Sequence, residues 1–326
     1  RSSLANPEAF LLRAFDTHST AAGINVDQDT ALSSSAFFDG VRMISQDVGR
    51  VPLNVYRHMQ PRGKERVRDH PAQRVLNDPN PELLPMQFRE MLTSFAVTAG
   101  TGFAEIAFDG AGNPATLWPI PPHRVTPSRT PDGALVWRVT LKNGGTQFIP
   151  VENMLVLPGF TRGGVLGVDV VDKLREAIGL TIATERFGSS FFGNNAMPGG
   201  YIKVPEVMSD VAYARFTKSW DDKHRGIDNA HRVALLEEGA EWVAQGVPPE
   251  AAQFLETRKF QVAEVARALN LPPHKLKDLE RATFSNIEEQ SIDYVRGSLG
   301  PWYVRWEQAT DKRLLTPRER PGIYLE

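Results

Sequence analysis

The architecture of this chain is easiest to infer from the segment Leu269 to Trp306, which reads L-N-L-P-P-H-K-L-K-D-L-E-R-A-T-F-S-N-I-E-E-Q-S-I-D-Y-V-R-G-S-L-G-P-W-Y-V-R-W. Its Leu-Pro-Pro sequence at 271–273 predicts the end of one helix, because proline cannot continue a helix. A charged loop follows. Ser285, with Glu288 three residues later, then forms the reciprocal capping pattern that opens a second, long helix. Two helices joined by a charged loop indicate a mechanical element rather than an active site.

The composition is that of a globular protein with a core large enough for one or two domains. Of its 326 residues, 41% are hydrophobic and 23% are charged. Cysteine is absent, which excludes disulfides, thiolate metal sites and cysteine nucleophiles, and fits assembly in a reducing cytoplasm. The sequence contains no run of eighteen apolar residues, so it predicts no membrane-spanning helix. The chain starts at Arg1 rather than at methionine, so we expect a trimmed N-terminus.

The net charge of −2, from 37 basic and 39 acidic residues, bears on DNA as a partner. A protein that grips DNA through many phosphate contacts usually carries a basic excess. A near-neutral chain does not exclude DNA as a partner, because DNA could slide past a surface that does not bind its phosphates strongly. An ordinary globular protein unrelated to DNA explains the charge equally well.

The first half of the chain predicts an α+β domain, because helical and strand periods alternate along it. Residues 1–29 show no sustained period and are interpreted as an N-terminal arm. Apolar residues at helical spacing predict helices over 30–48 and 85–99. Short antiparallel strands are expected over 53–56, 103–108, 135–141, 146–149 and 154–157, with a hairpin turn at 109–113.

The second half predicts a stalk with a tip. Long helical patterns over 169–193 and 250–269 flank a small α/β insert at 197–247, in which segments 233–236 and 242–245 predict a hairpin. A helix of about twenty residues is roughly 30 Å long. The last helix, 285–315, is expected to bend near Pro301, because proline removes a backbone hydrogen bond and clashes with the preceding turn.

No pattern in the sequence supports catalysis. The glycine-rich segment 159–167 precedes a helix but lacks the Gly-Lys-Ser/Thr of a phosphate-binding loop, so we interpret it as a plain turn. The histidines show no helical i, i+4 pairing, and the acidic group at 221–224 is interpreted as a solvated helix end rather than a metal site. We expect no cofactor and no metal.

A sharper alternative is a helix-turn-helix at 261–279. Residues 261–271 read like its first helix and turn, and the second helix would run over 273–279. A helix that enters the major groove carries basic and amide side chains, whereas this one is short and includes Asp278. A helix end with a proline stop is the preferred interpretation.

Aromatic side chains at helical spacing are candidates for subunit contacts. Phe187, Phe191, Trp302 and Trp306 could stack on single-stranded nucleic acid. At these spacings they more often anchor a core or an interface between subunits, which is the role we predict.

A series of short sequence motifs between residues 30 and 306 closely resembles, in the same order, the sequences of the HK97 family of tailed-phage portal proteins. The segment D-L-E-R-A-T-F-S-N-I-E-E-Q-S (278–291) carries much of this likeness. Shorter matches precede it: T-A-L (30–32), V-R-M-I-S-Q-D-V (41–48), V-P-L-N-V-Y (51–56), D-H-P (69–71), P-N-P (79–81), F-R-E (88–90), G-T-G-F-A-E-I (100–106), L-W-P-I-P-P (117–122) and F-F-G-N (191–194).

The resemblance implies a portal-like α+β architecture with an α/β wing, two long stem helices flanking a small α/β clip, and a long kinked C-terminal helix. The implied segments are an arm (1–29), the wing (30–168), a stem helix (169–196), the clip (197–247), a second stem helix (248–271), a tunnel loop (272–285) and a helix leading to a crown (286–326). Because family members usually continue further, we expect the crown to be truncated after Glu326.

The resemblance also implies a structural, non-enzymatic role as one subunit of a dodecameric ring at a capsid vertex. The ring would pass double-stranded DNA during packaging and ejection. It would dock the terminase large subunit and the head–tail adaptor and would contact the major capsid or scaffold protein. No membrane is implied. The subunit would reside in the virion and, during assembly, in the host bacterial cytoplasm.

Particular residues carry these expected contacts. Lys275, Lys277 and Arg281 would face DNA from the tunnel loop, and Lys218 and Lys223 would serve terminase docking on the clip. Two other classes stay open at this point: a helix-turn-helix DNA-binding protein, which would show a steep salt dependence on duplex DNA, and an enzyme of unrecognised mechanism, which would need a pocket with convergent polar groups.

Overall fold

The structure is a computed structural model that describes residues 20–193, 200–205, 209–224, 240–244, 251–276 and 284–326. Its α-helices are α1 (Gln28–Ala31), α2 (Ser35–Gly49), α3 (Pro71–Asn77), α4 (Pro85–Ala99), α5 (Val170–Lys173), α6 (Arg175–Gly193), α7 (Asp210–His224), α8 (Ala251–Ala268), α9 (Phe284–Asp293) and α10 (Gly300–Leu314). Its strands are β1 (Val55–His58), β2 (Lys64–Arg66), β3 (Thr101–Phe108), β4 (Pro114–Ile120), β5 (Val125–Arg129), β6 (Leu135–Thr140), β7 (Thr146–Pro150), β8 (Met154–Pro158), β9 (Gly200–Lys203), β10 (Glu241–Ala244) and β11 (Ile323–Leu325).

Helices α2 and α4 form the centre of the main core. Their apolar stripes, with Phe37 and Ile44 on α2 and Phe88 and Leu92 on α4, are almost completely buried. The helix predicted over 30–48 begins later, at Ser35. Residues 28–31 form a separate turn, which Asp27 caps at its start, and the chain leaves this turn before α2 begins. The helix predicted over 85–99 is confirmed at both ends.

The start of the described chain belongs to this core rather than to a free arm. Ile24 and Val26 are buried in the main hydrophobic cluster, and Thr20 is packed against Gly179 of α6. The backbone N–H of Ala21 donates to the Glu176 carboxylate at 3.1 Å. Residues 20–27 therefore join the main core to helix α6, while residues 1–19 of the predicted arm lie outside the described residues.

Sheet β4-β3-β8 covers the end of α4, and glycines let the backbones approach closely. A Cβ at Gly102 would lie 2.4 Å from the carbonyl oxygen of Leu92, so only glycine fits beneath the helix there. Gly100 adopts the left-handed conformation (φ 79°) that closes α4. The strands predicted over 103–108 and 154–157 are confirmed, with antiparallel pairing to β3 on both sides.

A second small core lies under sheet β5-β6-β7. Trp137 and Phe103 pack edge to face, with ring centres 5.2 Å apart. Strand β5 was not predicted, and it contains Pro127, a residue that is unfavourable in a strand interior. The strand is at the edge of its sheet, and an edge strand tolerates a residue without a backbone N–H.

The last strand of the chain, β11, pairs with the first, β1, in a third sheet of order β11-β1-β2. Val55 pairs with Leu325, and Tyr56 with both Tyr324 and Arg66. The strand predicted over 53–56 is thus shifted to Val55–His58. No local pattern indicates β2 or β11, because three-residue strands are too short to show a period.

The two long helices predicted in the second half are present, and they contact each other. The helix predicted over 169–193 divides at Leu174 into α5 and α6, and α8 confirms the helix predicted over 250–269. In the insert, β10 pairs with β9, so the partner strand is Gly200–Lys203. Segment 233–236, which was predicted to be that partner, lies outside the described residues.

The last helix is interrupted as predicted, but by a π-helical segment. The π segment covers Tyr294–Leu299, between α9 and α10. The N–H of Gly300 donates to the carbonyl of Val295, five residues back, just before Pro301, which has no N–H to donate. The helix begins at Phe284, one residue before the predicted cap Ser285.

Candidate functional site

The candidate site is the junction formed by the end of α8, the turn after it, and the π segment. Helix α8 ends in a Schellman motif. Leu271 N–H donates to Ala266 O at 2.7 Å, Asn270 N–H donates to Arg267 O at 3.2 Å, and Asn270 adopts φ 55°. Leu271 is buried in the main core, which fixes where the chain leaves the stalk. A 3-10 turn, Pro273–Leu276, then follows, and the described chain resumes with α9 at Phe284.

Contacts across the junction join the two flanks of segment 277–283. The Asn270 side-chain amide donates to Gly297 O at 3.1 Å, and the Ser298 hydroxyl donates to Asn270 O. His274 Nδ1 lies 2.7 Å from Gln290 Oε1. Both flanks of the predicted tunnel loop are therefore held together.

Tyr294 links this junction to helix α2 of the main core. Its ring is buried, and its hydroxyl donates to Asp47 Oδ2 at 2.8 Å. Arg50 lies 3.4 Å from the other oxygen of Asp47. Burial, together with the hydrogen bond to Asp47, raises the pKa of the Tyr294 phenol far above its usual value, so the phenol stays a donor at physiological pH. The sequence analysis did not identify Tyr294 or Asp47 as site residues. The position of Tyr294 within segment 269–306 was the one signal that could have indicated its role.

The predicted DNA-facing residues are only partly described. The ammonium of Lys275 lies 4.6 Å from the centre of the Tyr294 ring, so this lysine is half-buried against the junction. Lys277 and Arg281 lie outside the described residues.

The predicted subunit-interface residues separate into two groups. Phe187 on α6 is exposed, and the side chain of Phe191 lies outside the described part. Trp302 is partly buried, with the Arg305 guanidinium 4.8 Å from its ring centre. Trp306 is only 3% exposed, and its indole N–H donates to Thr93 Oγ1 at 3.0 Å. We therefore reassign Trp306 from a subunit-interface anchor to the core of the chain, because it has almost no surface left to offer a neighbour.

The stalk helices are joined by a polar contact and carry exposed apolar side chains. Gln261 of α8 donates to Thr184 of α6 at 3.1 Å. Leu180 and Phe187, seven residues apart on α6, are 53% and 51% exposed, and Phe260 of α8 is 62% exposed. The spacing of seven places Leu180 and Phe187 on one face of the helix. Leu180 and Phe260 were not predicted from the sequence.

The insert presents helix α7 with a largely exposed surface. Lys218 is exposed on this helix, whereas Lys223 lies in its last turn and its side chain is outside the described part. Val211 and Tyr213 are also strongly exposed on the same helix. The predicted docking residues thus share one helix.

The glycine-rich segment 159–167 does not form a phosphate cradle. The Gly159 N–H donates to Gly100 O at 2.7 Å, and the Gly167 N–H donates to Thr101 Oγ1 at 2.9 Å. A Cβ at Gly167 would lie 1.8 Å from Gly100 O. These amides are already engaged, so the segment is a tightly packed turn, as preferred from the sequence.

Neither metal ligation nor membrane insertion is indicated where the structure is described. No group of three or more acidic or histidine side chains there is placed to hold a metal ion. None of the described helices combines the length and apolar character needed to cross a membrane.

Comparison with known proteins identifies relatives along most of the chain. A family model described as phage portal protein matches residues 35–326. The probable portal protein of Streptomyces phage phiC31 is 33% identical over 309 residues, which are 90% of this chain and 66% of that protein. The portal protein of Enterobacteria phage HK97 is 25% identical over 314 residues, which are 95% of this chain and 73% of that protein. The chain thus spans about two thirds to three quarters of these relatives' own length.

Solved structures share the fold. A chain in the neck of a native gene transfer agent particle, computed with C12 symmetry, matches with a TM-score of 0.63 at 20% identity, over 91% of this chain and 81% of that one. An HK97 family phage portal protein from Corynebacterium diphtheriae matches with a TM-score of 0.64 at 16% identity, over 91% and 93%. The α+β, portal-like fold class and the family resemblance are therefore confirmed.

Proposed function

The chain belongs to the phage portal protein family, and from that premise we propose that it is one subunit of a ring-shaped channel that passes double-stranded DNA at a capsid vertex. Its role there is structural rather than catalytic. The observation that carries this proposal is the family match, which spans residues 35–326 and includes the whole junction. The helix-turn-helix alternative has less support, because Leu269 and Leu271 are buried in the main core. The part of its second helix that the structure describes, Pro273–Leu276, is a 3-10 turn.

We propose the following division of labour along the chain. The wing would be 30–168, the stem helices 169–196 and 248–271, the clip 197–247, the tunnel loop 272–285, and the helix leading to the crown 286–326. The contact between α6 and α8 and the separate strand pair β9–β10 support the stem and clip assignments. The anchored flanks of segment 277–283 support the loop assignment.

In this proposal the tunnel loop contacts DNA through Lys277 and Arg281, while Lys275 anchors the base of the loop against Tyr294. Cations in this loop would attract passing phosphates without holding them, since exposed charges are screened within about 10 Å at 0.1 M salt.

The tunnel-loop proposal is tested by neutralising Lys275, Lys277 and Arg281 to Gln. We expect intact rings with a several-fold change in packaged or retained DNA, measured as DNA-filled particles in phage complementation. The matched control neutralises the exposed residues Lys142, Arg162 and Lys312 to Gln and should leave packaging unchanged. Normal packaging by the loop variant contradicts the assignment.

We further propose that subunits contact through the apolar face of the stem. Leu180, Phe187 and Phe260 expose apolar surface that a neighbouring copy would cover. A dodecamer is the ring number that the family resemblance implies, and the C12 symmetry of the similar neck structure supports it.

On the clip, Lys218 and Lys223 of α7 would dock the terminase large subunit and later the head–tail adaptor. The wing would meet the major capsid or scaffold protein. The protein would assemble in the host cytoplasm and remain at the portal vertex of the virion.

Charge reversal at the clip tests the terminase assignment. Lys218→Glu with Lys223→Glu should weaken terminase docking, mainly by slowing association, because exposed interface charges act on the association rate. Lys142→Glu, on a turn of the wing region, is the control. Unchanged docking in surface plasmon resonance contradicts this choice of residues.

A further inference from the structure

The β1–β2 hairpin concentrates positive charge in a chain whose net charge is −2. Residues 56–68 contain five basic side chains and one acidic side chain: Arg57, Arg62, Lys64, Arg66, Arg68 and Glu65. All six are exposed. The hairpin lies outside the proposed stem, clip and tunnel loop, so none of those roles explains its charge.

Three of these cations are available to a partner. Arg57 pairs with Glu65 at 3.7 Å, and Lys64 pairs with Glu326 at 2.6 Å. Within the described residues, Arg62, Arg66 and Arg68 enter no ion pair. Arginine presents a planar fork of donors that matches phosphate oxygens, and it is always charged.

Stacked rings hold the hairpin against the end of the chain. Both His58 and Tyr56 stack on Tyr324, with ring centres 4.4 Å and 6.0 Å from it. The Lys64 ammonium lies 4.6 Å from the Tyr56 ring centre. The register places Arg66 directly opposite Tyr56 and Lys64 opposite His58, so these two cations project from the same face as the rings.

We propose that this hairpin, defined as residues 56–68, is a second contact surface for double-stranded DNA, separate from the tunnel loop. Strand β2 is the edge of its sheet, so its outward N–H groups are available to phosphate oxygens alongside the arginines. A two-stranded ribbon also fits the major groove, which is about 12 Å wide.

The observations favour DNA over an acidic protein. Protein interfaces depend on apolar or aromatic anchors that insert into a pocket. Here the rings are stacked on one another, and Met59 is the large apolar side chain that the hairpin exposes. Interfaces with DNA are more polar and much more positive, which matches the composition of the hairpin. The choice of DNA rests on the proposed channel function, but binding by the hairpin requires no ring.

The test is fluorescence anisotropy of the whole chain with a labelled duplex of mixed sequence, between about 50 and 200 mM NaCl. Arg62→Gln, Arg66→Gln and Arg68→Gln together should weaken binding at least ~10-fold at the lowest salt. The plot of log association constant against log salt concentration should become shallower. Its negative slope should decrease in magnitude by up to about 2.7, because each lost phosphate contact removes about 0.9. The hairpin is exposed, so the thermal midpoint should not change.

The matched control removes the same amount of charge at scattered exposed positions: Lys142→Gln, Arg162→Gln and Lys312→Gln. It should change the affinity less than ~2-fold, since these residues touch no phosphate in the proposal. Equal weakening by both triple variants, or no weakening by the hairpin variant, overturns the proposal. Displacement of the duplex by polyglutamate as effectively as by unlabelled DNA of equal charge also overturns it and assigns the surface to an acidic protein. A chain that binds DNA through the hairpin but never forms rings would instead refute the channel.

Discussion

Tyr294 is the residue whose phenol hydroxyl links the junction to helix α2 of the main core. It donates to Asp47 while its ring carries the Lys275 ammonium. A buried donor that also orders a cation resists small displacements, because moving the ring breaks both interactions. The base of the predicted tunnel loop is therefore coupled to α2 in the main core.

Removing that hydroxyl should have a measurable cost. Tyr294→Phe is expected to lower the free energy of unfolding by about 1–2 kcal/mol, because Asp47 Oδ2 loses a donor that water replaces only in part. Tyr303→Phe is the control, since its hydroxyl makes no hydrogen bond within the described residues. Urea denaturation checks both variants, and equal stability of the two would contradict the role given to Tyr294.

Asn270 is the second critical residue, because its φ of 55° lies in the left-handed region. Asn270→Val should destabilise by at least about 1–2 kcal/mol, the cost of placing a β-branched residue in that conformation. Asn270→Gly keeps the backbone conformation and should cost little beyond the hydrogen bond to Gly297. Thermal unfolding of the pair decides this, and a glycine variant as unstable as the valine variant would show that the side chain, not the backbone, controls the helix end.

Among the helices, strands and turns, the tight turn between β8 and α5 sets where α5 starts. Gly159 and Gly167 both touch Gly100, the residue that closes α4. The end of α4 and the turn before α5 therefore meet where backbones touch, with no side chain to absorb movement.

This close approach predicts a sharp difference between two glycines of the same loop. Gly167→Ala should destabilise by several kcal/mol, because its Cβ would lie 1.8 Å from Gly100 O, and the backbone must shift. Gly163→Ala meets nothing within 4 Å and should be neutral or stabilise by up to about 1 kcal/mol. Calorimetry of the two variants tests the turn, and similar midpoints would show that the loop packs differently.

Helices and strands long enough to show a regular apolar spacing were predictable from the sequence. Those defined by pairing with distant segments were not. Helix α4 and strand β6 follow from their own apolar spacing. Strand β11 exists only because β1 is available to pair with it, and β5 tolerates Pro127 only because it lies at an edge. The Tyr294–Asp47 bond joins residues far apart in sequence, so no local pattern reveals it. The family, by contrast, was evident from ordered short motifs.

For the molecule as a whole, the exposed apolar side chains of α6 and α8 are a surface that the proposed ring would cover. Leu180, Phe187 and Phe260 lie on helices that a ring would bring against a neighbour. Replacing all three by Ser should abolish assembly while leaving the fold intact, because they contribute little to the core of one chain. Phe148→Ser, which removes a similarly exposed ring from sheet β5-β6-β7, should leave assembly unchanged. Rings formed by the triple variant would refute the stem interface.

The proposed channel is tested most simply by the mass of the assembled protein, from light scattering with negative-stain microscopy, in the presence of its capsid protein. We predict rings with a central hole and a mass near twelve subunits, as in the similar C12-symmetric neck. A protein that stays monomeric at high concentration and in the presence of capsid protein would contradict the channel.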